Sequence, residues 1–345
     1  MFDTASFESR KREHINLSMQ KEMQAIGFTG LDQVRLFHDP LPEMNFCEVD
    51  ISTKRLGRLV RTPFFVSSMT AGHGNAFELN FLLAEACSNR GWGFGVGSQR
   101  RDLEVPSSSI DQWSAIREKF PELEIYSNIG LSQLIDSNAD EMEKIIALIG
   151  ASALIVHLNP LQEALQKEGT PNFRGGIKKI AEISEQLSVP IILKETGCGF
   201  SKVSLEKIKG LNFKALDVSG LGGTHWGRIE GARSDKNSII DEAAKIFMNW
   251  GNSTVESVIN ARNTIGGADI EVWGSGGVRS GLDAAKLIAL GANSIGFAKP
   301  VLEAALLGGV ELNRWMERIE FELRIAMFCT GSNTLSKLSE SVEKC

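Results

Sequence analysis

At 345 residues the chain can form one large barrel or two ordinary domains, and either would bury roughly three quarters of its unfolded surface. Its composition, 42% hydrophobic and 23% charged, is that of a soluble globular protein, and a net charge of −6 argues against general affinity for nucleic acid or anionic membrane. Five scattered cysteines (Cys47, Cys87, Cys198, Cys329, Cys345) without a Cys-x-x-Cys pair point to neither a zinc site nor a disulfide framework, and fit a reducing cytoplasm.

The chain opens with a charged segment, Arg10-Lys11-Arg12 and His14, that lacks the apolar core of a secretory leader. Arg10 and His14 would share one face of a helix. Residues 1–61 are expected to precede the main fold as an N-terminal extension. Beyond them, eight short apolar or β-branched runs alternate with segments of helical period: Pro63–Val66, Gly93–Val96, Glu124–Asn128, Ala153–Asn159, Pro190–Lys194, Ala215–Ser219, Glu271–Gly274 and Ser294–Phe297. The longest apolar run, Ile145 to Val156, is broken by Gly150 and too short to span a bilayer. The stretch from Leu221 to Glu271 reads as a helical insertion over the site, then a crossover helix opened by a capping box at Ser253-Thr254-Val255-Glu256. A final helix runs from about Val310 to Phe328, stopped by Gly331.

Near-continuous apolar runs joined by helical crossovers imply a parallel sheet buried on both faces, and eight of them imply an α/β fold of the closed (β/α)8 TIM-barrel type over 62–345, within one domain of 1–345. The C-terminal ends of such strands make the active face, so the residues that follow each run can be read as a site. Trp273-Gly274-Ser275-Gly276-Gly277 and Gly296-Phe297-Ala298-Lys299, at the last two strand ends, read as a phosphate cradle, because glycines just past a strand let backbone N–H groups approach an anion. A dinucleotide fingerprint beginning at Gly274 fails, since Arg279 stands where a glycine is required.

Lys194, at the end of a buried strand, needs an anionic or electron-rich partner in the barrel mouth or a salt bridge. Ser67, Thr70, Asn128 and Thr224 are small hydrogen-bonding groups suited to a polar ring system, although each alone is an ordinary turn or cap residue. His157, Asn159, Gln162 and Glu163 follow the fourth run. One carboxylate is too little for an all-protein metal cage, but it suits Mg²⁺ that keeps its waters and takes other ligands from phosphates. Read alone, such a His is a satisfied core residue and such a Glu a solvated one. Arg100, Arg101, Arg10 and Lys11 lie away from the cradle and form a second set of cations, which suggests two phosphorylated species bound together.

Arg10-Lys11-x-x-His14, Met69-Thr70, Gly97-Ser98-Gln99-Arg100, Ser127-Asn128-Ile129-Gly130, His157-Leu158-Asn159-Pro160-Leu161-Gln162-Glu163, Lys194-Glu195-x-Gly197-x-Gly199 and Gly222-Gly223-Thr224-x-Trp226 together resemble the FMN-dependent type 2 isopentenyl-diphosphate Δ-isomerase family. The resemblance extends from Arg10 to the C-terminal helix. Its glycine pieces are shared by many FMN barrels, whereas the Asn-x-x-Gln-Glu run and the Arg-Lys-x-x-His arm are much more specific.

The resemblance implies that Ser67, Met69, Thr70, Ser98, Asn128, Lys194, Ser219, Thr224, Gly274, Gly276, Gly277, Ala298 and Lys299 contact FMN. It implies that Arg10, Lys11, His14, Ser98, Arg100, His157, Asn159, Gln162 and Trp226 take isopentenyl or dimethylallyl diphosphate, and that Glu163 holds Mg²⁺. Gln162, Lys194 and His157 are the implied catalytic residues. The implied reaction, part of isoprenoid biosynthesis, moves a double bond with no net redox change, requires reduced FMN sustained by NADPH, and belongs to a cytoplasmic homo-oligomer, a tetramer or octamer. Protonating an unactivated alkene makes a tertiary carbocation, so such a site needs an acid on one face, an electron-rich neighbour and no nucleophilic water.

Two departures touch the flavin contacts: His225 stands where the family more often has Ser, and Ala71-Gly72-His73 replaces the commoner Gly-Gly. Other readings remain. In an FMN-dependent 2-hydroxy-acid dehydrogenase or oxidase, His225 and Arg228 could imitate the required base and carboxylate grip, but a His-Gly-Gly-Arg run is absent after the sixth strand. An IMP-dehydrogenase-like enzyme would need a Cys between Ser219 and Trp226, where there is none. A non-catalytic flavin-binding protein would leave Gln162 and Glu163 without a task.

Overall fold

In a computed structural model that describes residues 13–69, 76–104, 110–267 and 269–342, eight parallel strands close into a barrel. An antiparallel hairpin, β1 (Thr53–Arg55) and β2 (Arg58–Val60), comes first. The barrel strands are β3 (Phe64–Val66), β4 (Gly93–Gly95), β5 (Ile125–Gly130), β6 (Ala153–Leu158), β7 (Ile191–Glu195), β8 (Ala215–Asp217), β9 (Glu271–Gly274) and β10 (Ser294–Phe297), with β10 returning to β3. They fall on the eight runs expected from sequence, so the TIM-barrel expectation holds.

The helices are α1 (13–18), α2 (Ala76–Arg90), α3 (Arg100–Glu104), α4 (Ile110–Lys119), α5 (Leu131–Asp136), α6 (Ala139–Ile149), α7 (Pro160–Leu165) and α8 (Gly176–Ser184), followed by α9 (Lys202–Ile208), α10 (Trp226–Arg233), α11 (Ile239–Ile246), α12 (Thr254–Thr264), α13 (Gly281–Ala289), α14 (Lys299–Leu306) and α15 (Gly309–Phe328). Helix α6 illustrates why such segments fold locally. Asn138 and Glu141 form a reciprocal capping box, Met142, Ile145, Ile146 and Ile149 make one apolar stripe, and Gly150 at φ 56° ends the helix in the left-handed region. In α12 the Ser253 side chain accepts from the Glu256 N–H, at the position read from the sequence. Helices α10 and α11 form the insertion.

Period-two alternation places the site. Phe65, Tyr126, Ala153, Ile155, Ile192, Ala215 and Trp273 pack together inside the barrel, while Phe64, Val66, Leu154, Val156, Ile191, Leu193, Leu216 and Val272 pack outward against the helices. Two residues further along each strand, the same parity brings Ser67, Asn128, His157, Lys194, Asp217 and Ser275 to the inner face at the C-terminal ends. The opposite end is plugged by the hairpin. Arg55, 1% exposed, donates to Glu124 and to the Phe64 carbonyl, and the Leu56 N–H donates to Glu271, whose other oxygen takes the Trp273 indole N–H.

The segment before β1 is stitched along the barrel. Ala25 N–H donates to the Gly223 carbonyl, His225 N–H to that of Met23 and Val255 N–H to that of Thr29, while Phe37, Asp39 and Asp50 donate to carbonyls of Ser341, Cys329 and Asn333. None of the described helices is long and apolar enough to cross a membrane.

Candidate functional site

A cavity of about 580 Å³ opens at the C-terminal strand ends, within the range of small-molecule sites. On one side stands the predicted cradle. Gly276 and Gly277 have φ of 101° and 76°, and a Cβ on either would come within 2.2 Å of the Gly220 oxygen or 2.4 Å of the Gly222 oxygen. Only glycine fits there. Arg279 fastens the turn by donating to the Gly277 carbonyl at 2.7 Å and the Gly222 carbonyl at 2.9 Å. Facing it, α14 begins at Ala298 and Lys299 with no side-chain cap and a proline in its first turn, so its first N–H groups form an anion-seeking helix end. Lys299 pairs with Glu303 and lines the cavity.

The inner layer carries charge. Lys194 Nζ lies 2.8 Å from Asp217 Oδ2, and Ser275 Oγ donates to Asp217 Oδ1 at 2.5 Å, all three being buried. Lys194 thus has the salt bridge weighed from sequence and also lines the cavity. Its neighbour Glu195 faces away and accepts backbone N–H groups of Thr196, Gly197, Cys198 and Gly199 on one oxygen, fixing the loop that brings Thr196 and Gly197 to the cavity wall. Burial pushes its carboxyl up to about 7, against the pull of those amides and of Lys194.

Ser67, Met69, Ser219, Thr224, Gly276, Gly277, Ala298 and Lys299 also line this cavity, as do His14 and Trp226. The Ser67 and Ser68 hydroxyls are buried there without a hydrogen-bond partner among the described residues. Ser219 adopts a left-handed φ of 37°, a strained conformation for a residue with a side chain. The glycine cradle, the open helix end and the orphan hydroxyls fit a phosphorylated, hydrogen-bonding ring compound such as FMN.

A second constellation runs from α1 through α10 to α7. His14 Nε2 is 3.0 Å from Glu230 Oε1, and the His14 ring meets Trp226 edge-on with centroids 5.0 Å apart. Gln162 Nε2 donates to the same Glu230 oxygen at 3.2 Å, and Arg233 binds the other at 2.6 Å. Asn159 Nδ2 reaches Gln162 Oε1 and Glu163 Oε1, each at 3.1 Å, while the Thr170 N–H donates to Glu163 Oε2 at 2.6 Å. Burial opposes ionisation of Glu230, but His14 and Arg233 outweigh it and hold the carboxyl below its ordinary range. Asn159 Oδ1 is buried with no hydrogen-bond partner among the described residues. Among the described residues no cluster of three or more His, Cys, Asp or Glu is placed to hold a metal.

Not every expected residue lines the cavity. Gly274 is buried in β9, where an added Cβ would meet Leu287, Ile295 and Ala292 on the helix side; Ser275 is the cavity residue. Asn128 and His157 bond each other on the inner face, Ser98 follows β4, and Arg100 opens α3. Arg10, Lys11, Thr70 and the Ala71-Gly72-His73 departure lie outside the described residues. Sequence reading had no signal for Glu230 or Arg233, an ordinary charge pair on a helix until packing buries them. Arg279, Ser275 and Gln24, whose amide donates to Thr224 Oγ1 at 3.0 Å, were also missed, although the first two sit within the glycine motif itself.

His225 is fully buried, its Nε2 3.0 Å from the Trp250 carbonyl oxygen and 3.7 Å from Cys198 Sγ. Arg228 donates to carbonyls of Glu22, Gln24 and Met248 and to Asn249. Both residues hold the insertion against the extension, away from the cavity.

The chain matches the FMN-dependent dehydrogenase family over residues 159–344. It is 47% identical over 336 residues to an isopentenyl-diphosphate delta-isomerase of Legionella pneumophila (strain Corby), covering 97% of each chain. It is 46% identical over 338 residues to that of Bdellovibrio bacteriovorus, covering 97% of this chain and 96% of the other. Among solved structures, a lactate oxidase of Pediococcus acidilactici shares the fold, with a TM-score of 0.69 at 15% identity over 100% of this chain and 95% of its own.

Proposed function

The chain belongs to the FMN-dependent, type 2 isopentenyl-diphosphate delta-isomerase family, and from that premise we propose how its cavity interconverts isopentenyl and dimethylallyl diphosphate in isoprenoid biosynthesis. One observation carries the reading: a single cavity joins a phosphate cradle, a buried ammonium and the His14–Trp226 edge of the Glu230–Gln162 constellation.

Gly276, Gly277, Ala298 and Lys299 would hold the FMN phosphate, with Ser67, Met69, Ser219 and Thr224 along the ring and ribityl chain. Bound and reduced, FMN supplies an electron-rich ring that can carry a proton and stabilise positive charge. Lys194 would neutralise the negative charge on that ring, its ammonium already oriented by Asp217 and Ser275. His14 and Asn159, with Ser98, Arg100 and His157 at neighbouring strand ends, would take the diphosphate. Glu163 and the Asn159 oxygen, which has no partner among the described residues, would offer Mg²⁺ two ligands and leave its other positions to water and diphosphate. Gln162 would lie against the double bond, its amide fixed by the ionised Glu230 behind it. Trp226, Ile15 and Ile26 would keep water from the cation.

NADPH would keep the flavin reduced, and the enzyme would work in the cytoplasm as a homo-oligomer, a tetramer or octamer; exposed Ile239, Ile246 and Trp250 on the insertion offer apolar surface for a second copy. A hydroxy-acid dehydrogenase would require a His base and an Arg open to substrate, whereas His225 and Arg228 are engaged in the scaffold. The test is anaerobic incubation with reduced FMN, Mg²⁺ and isopentenyl diphosphate in D₂O, followed by NMR. Deuterated dimethylallyl diphosphate is expected; no exchange from protein that binds FMN would overturn the reading.

A further inference from the structure

Behind the glycine turn that follows β9 stands Thr254, the first residue of α12. It is fully buried and lies outside the cavity lining, whereas Gly276 and Gly277 line the cavity. Its Oγ1 is 2.6 Å from the Gly276 carbonyl oxygen, against 3.4 Å from that of Ser275 and 3.5 Å from that of Leu221. A hydroxyl has one proton to give, and the short contact takes it. The peptide between Gly276 and Gly277 is planar and trans, so its carbonyl and its N–H point in opposite directions. Holding the carbonyl against Thr254 therefore turns the Gly277 N–H away from α12, toward the cavity side of the turn. That N–H has no acceptor among the described residues. Gly223, also in the lining, approaches so closely that a Cβ on it would come within 2.6 Å of the Gly277 nitrogen, and glycine there keeps a side chain off it. Thr254 is itself fixed in place. The Leu221 N–H donates to the Asn252 carbonyl, Ser253 caps α12, and Gly220 lies so near that a Cβ on it would meet the Thr254 Cα at 2.3 Å.

We propose that Thr254 is a positioning residue: through the Gly276 carbonyl it aims the Gly277 N–H at the cofactor phosphate, an assignment that rests on the function proposed above. From outside the cavity Thr254 acts only through that peptide, so its effect is confined to the phosphate end of the ligand.

The experiment compares two ligands that differ by the phosphate alone. FMN and riboflavin are titrated by fluorescence into flavin-free, full-length wild type, Thr254→Val and Thr254→Ser. Thr254→Val keeps the shape and removes the proton, so FMN affinity should fall about tenfold, the size of one lost neutral hydrogen bond, with riboflavin affinity unchanged. Thr254→Ser restores the donor and should bind both ligands as the wild type does. In the wild type, the Gly277 amide proton should shift downfield in ¹H–¹⁵N spectra with FMN and not with riboflavin. An amide blind to FMN overturns the proposal with no variant required. So does a Thr254→Val protein that keeps its FMN affinity, or one that loses FMN and riboflavin alike, which marks a structural role only. A Thr254→Ser protein that binds FMN no better than Thr254→Val overturns it too. A wild type that binds riboflavin as tightly as FMN overturns the cradle itself, and with it the reading beneath the assignment.

Discussion

Lys194→Met would strand the Asp217 carboxylate, which is 1% exposed and has Lys194 Nζ at 2.8 Å as its counter-charge. Breaking a buried ion pair from one side costs about 3–5 kcal/mol, since the remaining charge sits where water cannot solvate it. With an unfolding entropy of roughly 2.1 cal/mol/K per residue, about 0.7 kcal/mol/K for 345 residues, that loss lowers the thermal midpoint by roughly 4–7 °C. Removing both charges in Lys194→Met/Asp217→Asn leaves no bare ion, and the amide oxygen can still accept from Ser275, so most of the stability should return. Circular dichroism melts of the wild type and both variants test this, with turnover measured on the same samples at saturating FMN. If Lys194 serves the reaction as well as the fold, the double variant recovers its midpoint while kcat stays about 100-fold low or worse. Full recovery of both would refute a chemical role for Lys194. A single variant melting within about a degree of the wild type would refute the energetic argument itself.

Gly276→Ala should weaken FMN binding at least about 100-fold in a fluorescence titration, because the new Cβ would lie 2.2 Å from the Gly220 oxygen at a φ of 101°; unchanged affinity would remove the turn from the cradle. Glu163→Gln should raise the Mg²⁺ concentration needed for half-maximal turnover about tenfold or more with FMN still bound, and flavin loss instead would show that the loop after β6 belongs to the cofactor. Gln162→Leu should retain both ligands yet lose about 100- to 10,000-fold in turnover, the range of proton-transfer assistance; unaltered turnover takes Gln162 out of the mechanism. Burial, opposed by the Trp250 carbonyl, lowers the His225 pKa below its usual value. The folded protein therefore resists protonation more than the unfolded chain, and the stability His225 contributes is present above about pH 6.5 and lost as pH falls through the lower folded value. His225→Ser should flatten that acid-side loss in pH-dependent melts and spare FMN binding; a profile superimposing on the wild type would mean that folding does not shift the His225 pKa.

The eight strands could be read from the chain because a parallel strand buried on both faces leaves a short apolar run bounded by polar or glycine residues. The cradle was legible for a similar reason: Gly276 and Gly277 satisfy a backbone requirement, and such requirements are local. Parity even carried Lys194 and Asn128 to the inner face, two residues beyond Ile192 and Tyr126. Partnership is another matter. That Lys194 meets Asp217, that Asn128 meets His157, and that His14, Gln162 and Arg233 converge on the Glu230 carboxylate depends on which strands become neighbours when the barrel closes and on how α10 packs over α7. His225 and Arg228 show the same limit from the other side, since polar residues beside a flavin motif looked chemical until packing placed them in the scaffold. Period, turns and strand ends are properties of a few consecutive residues and so were legible in the chain. Which charges are buried against which was not, because desolvation and pairing arise between residues far apart in the chain, and the energy of an ionisable group is settled by those neighbours.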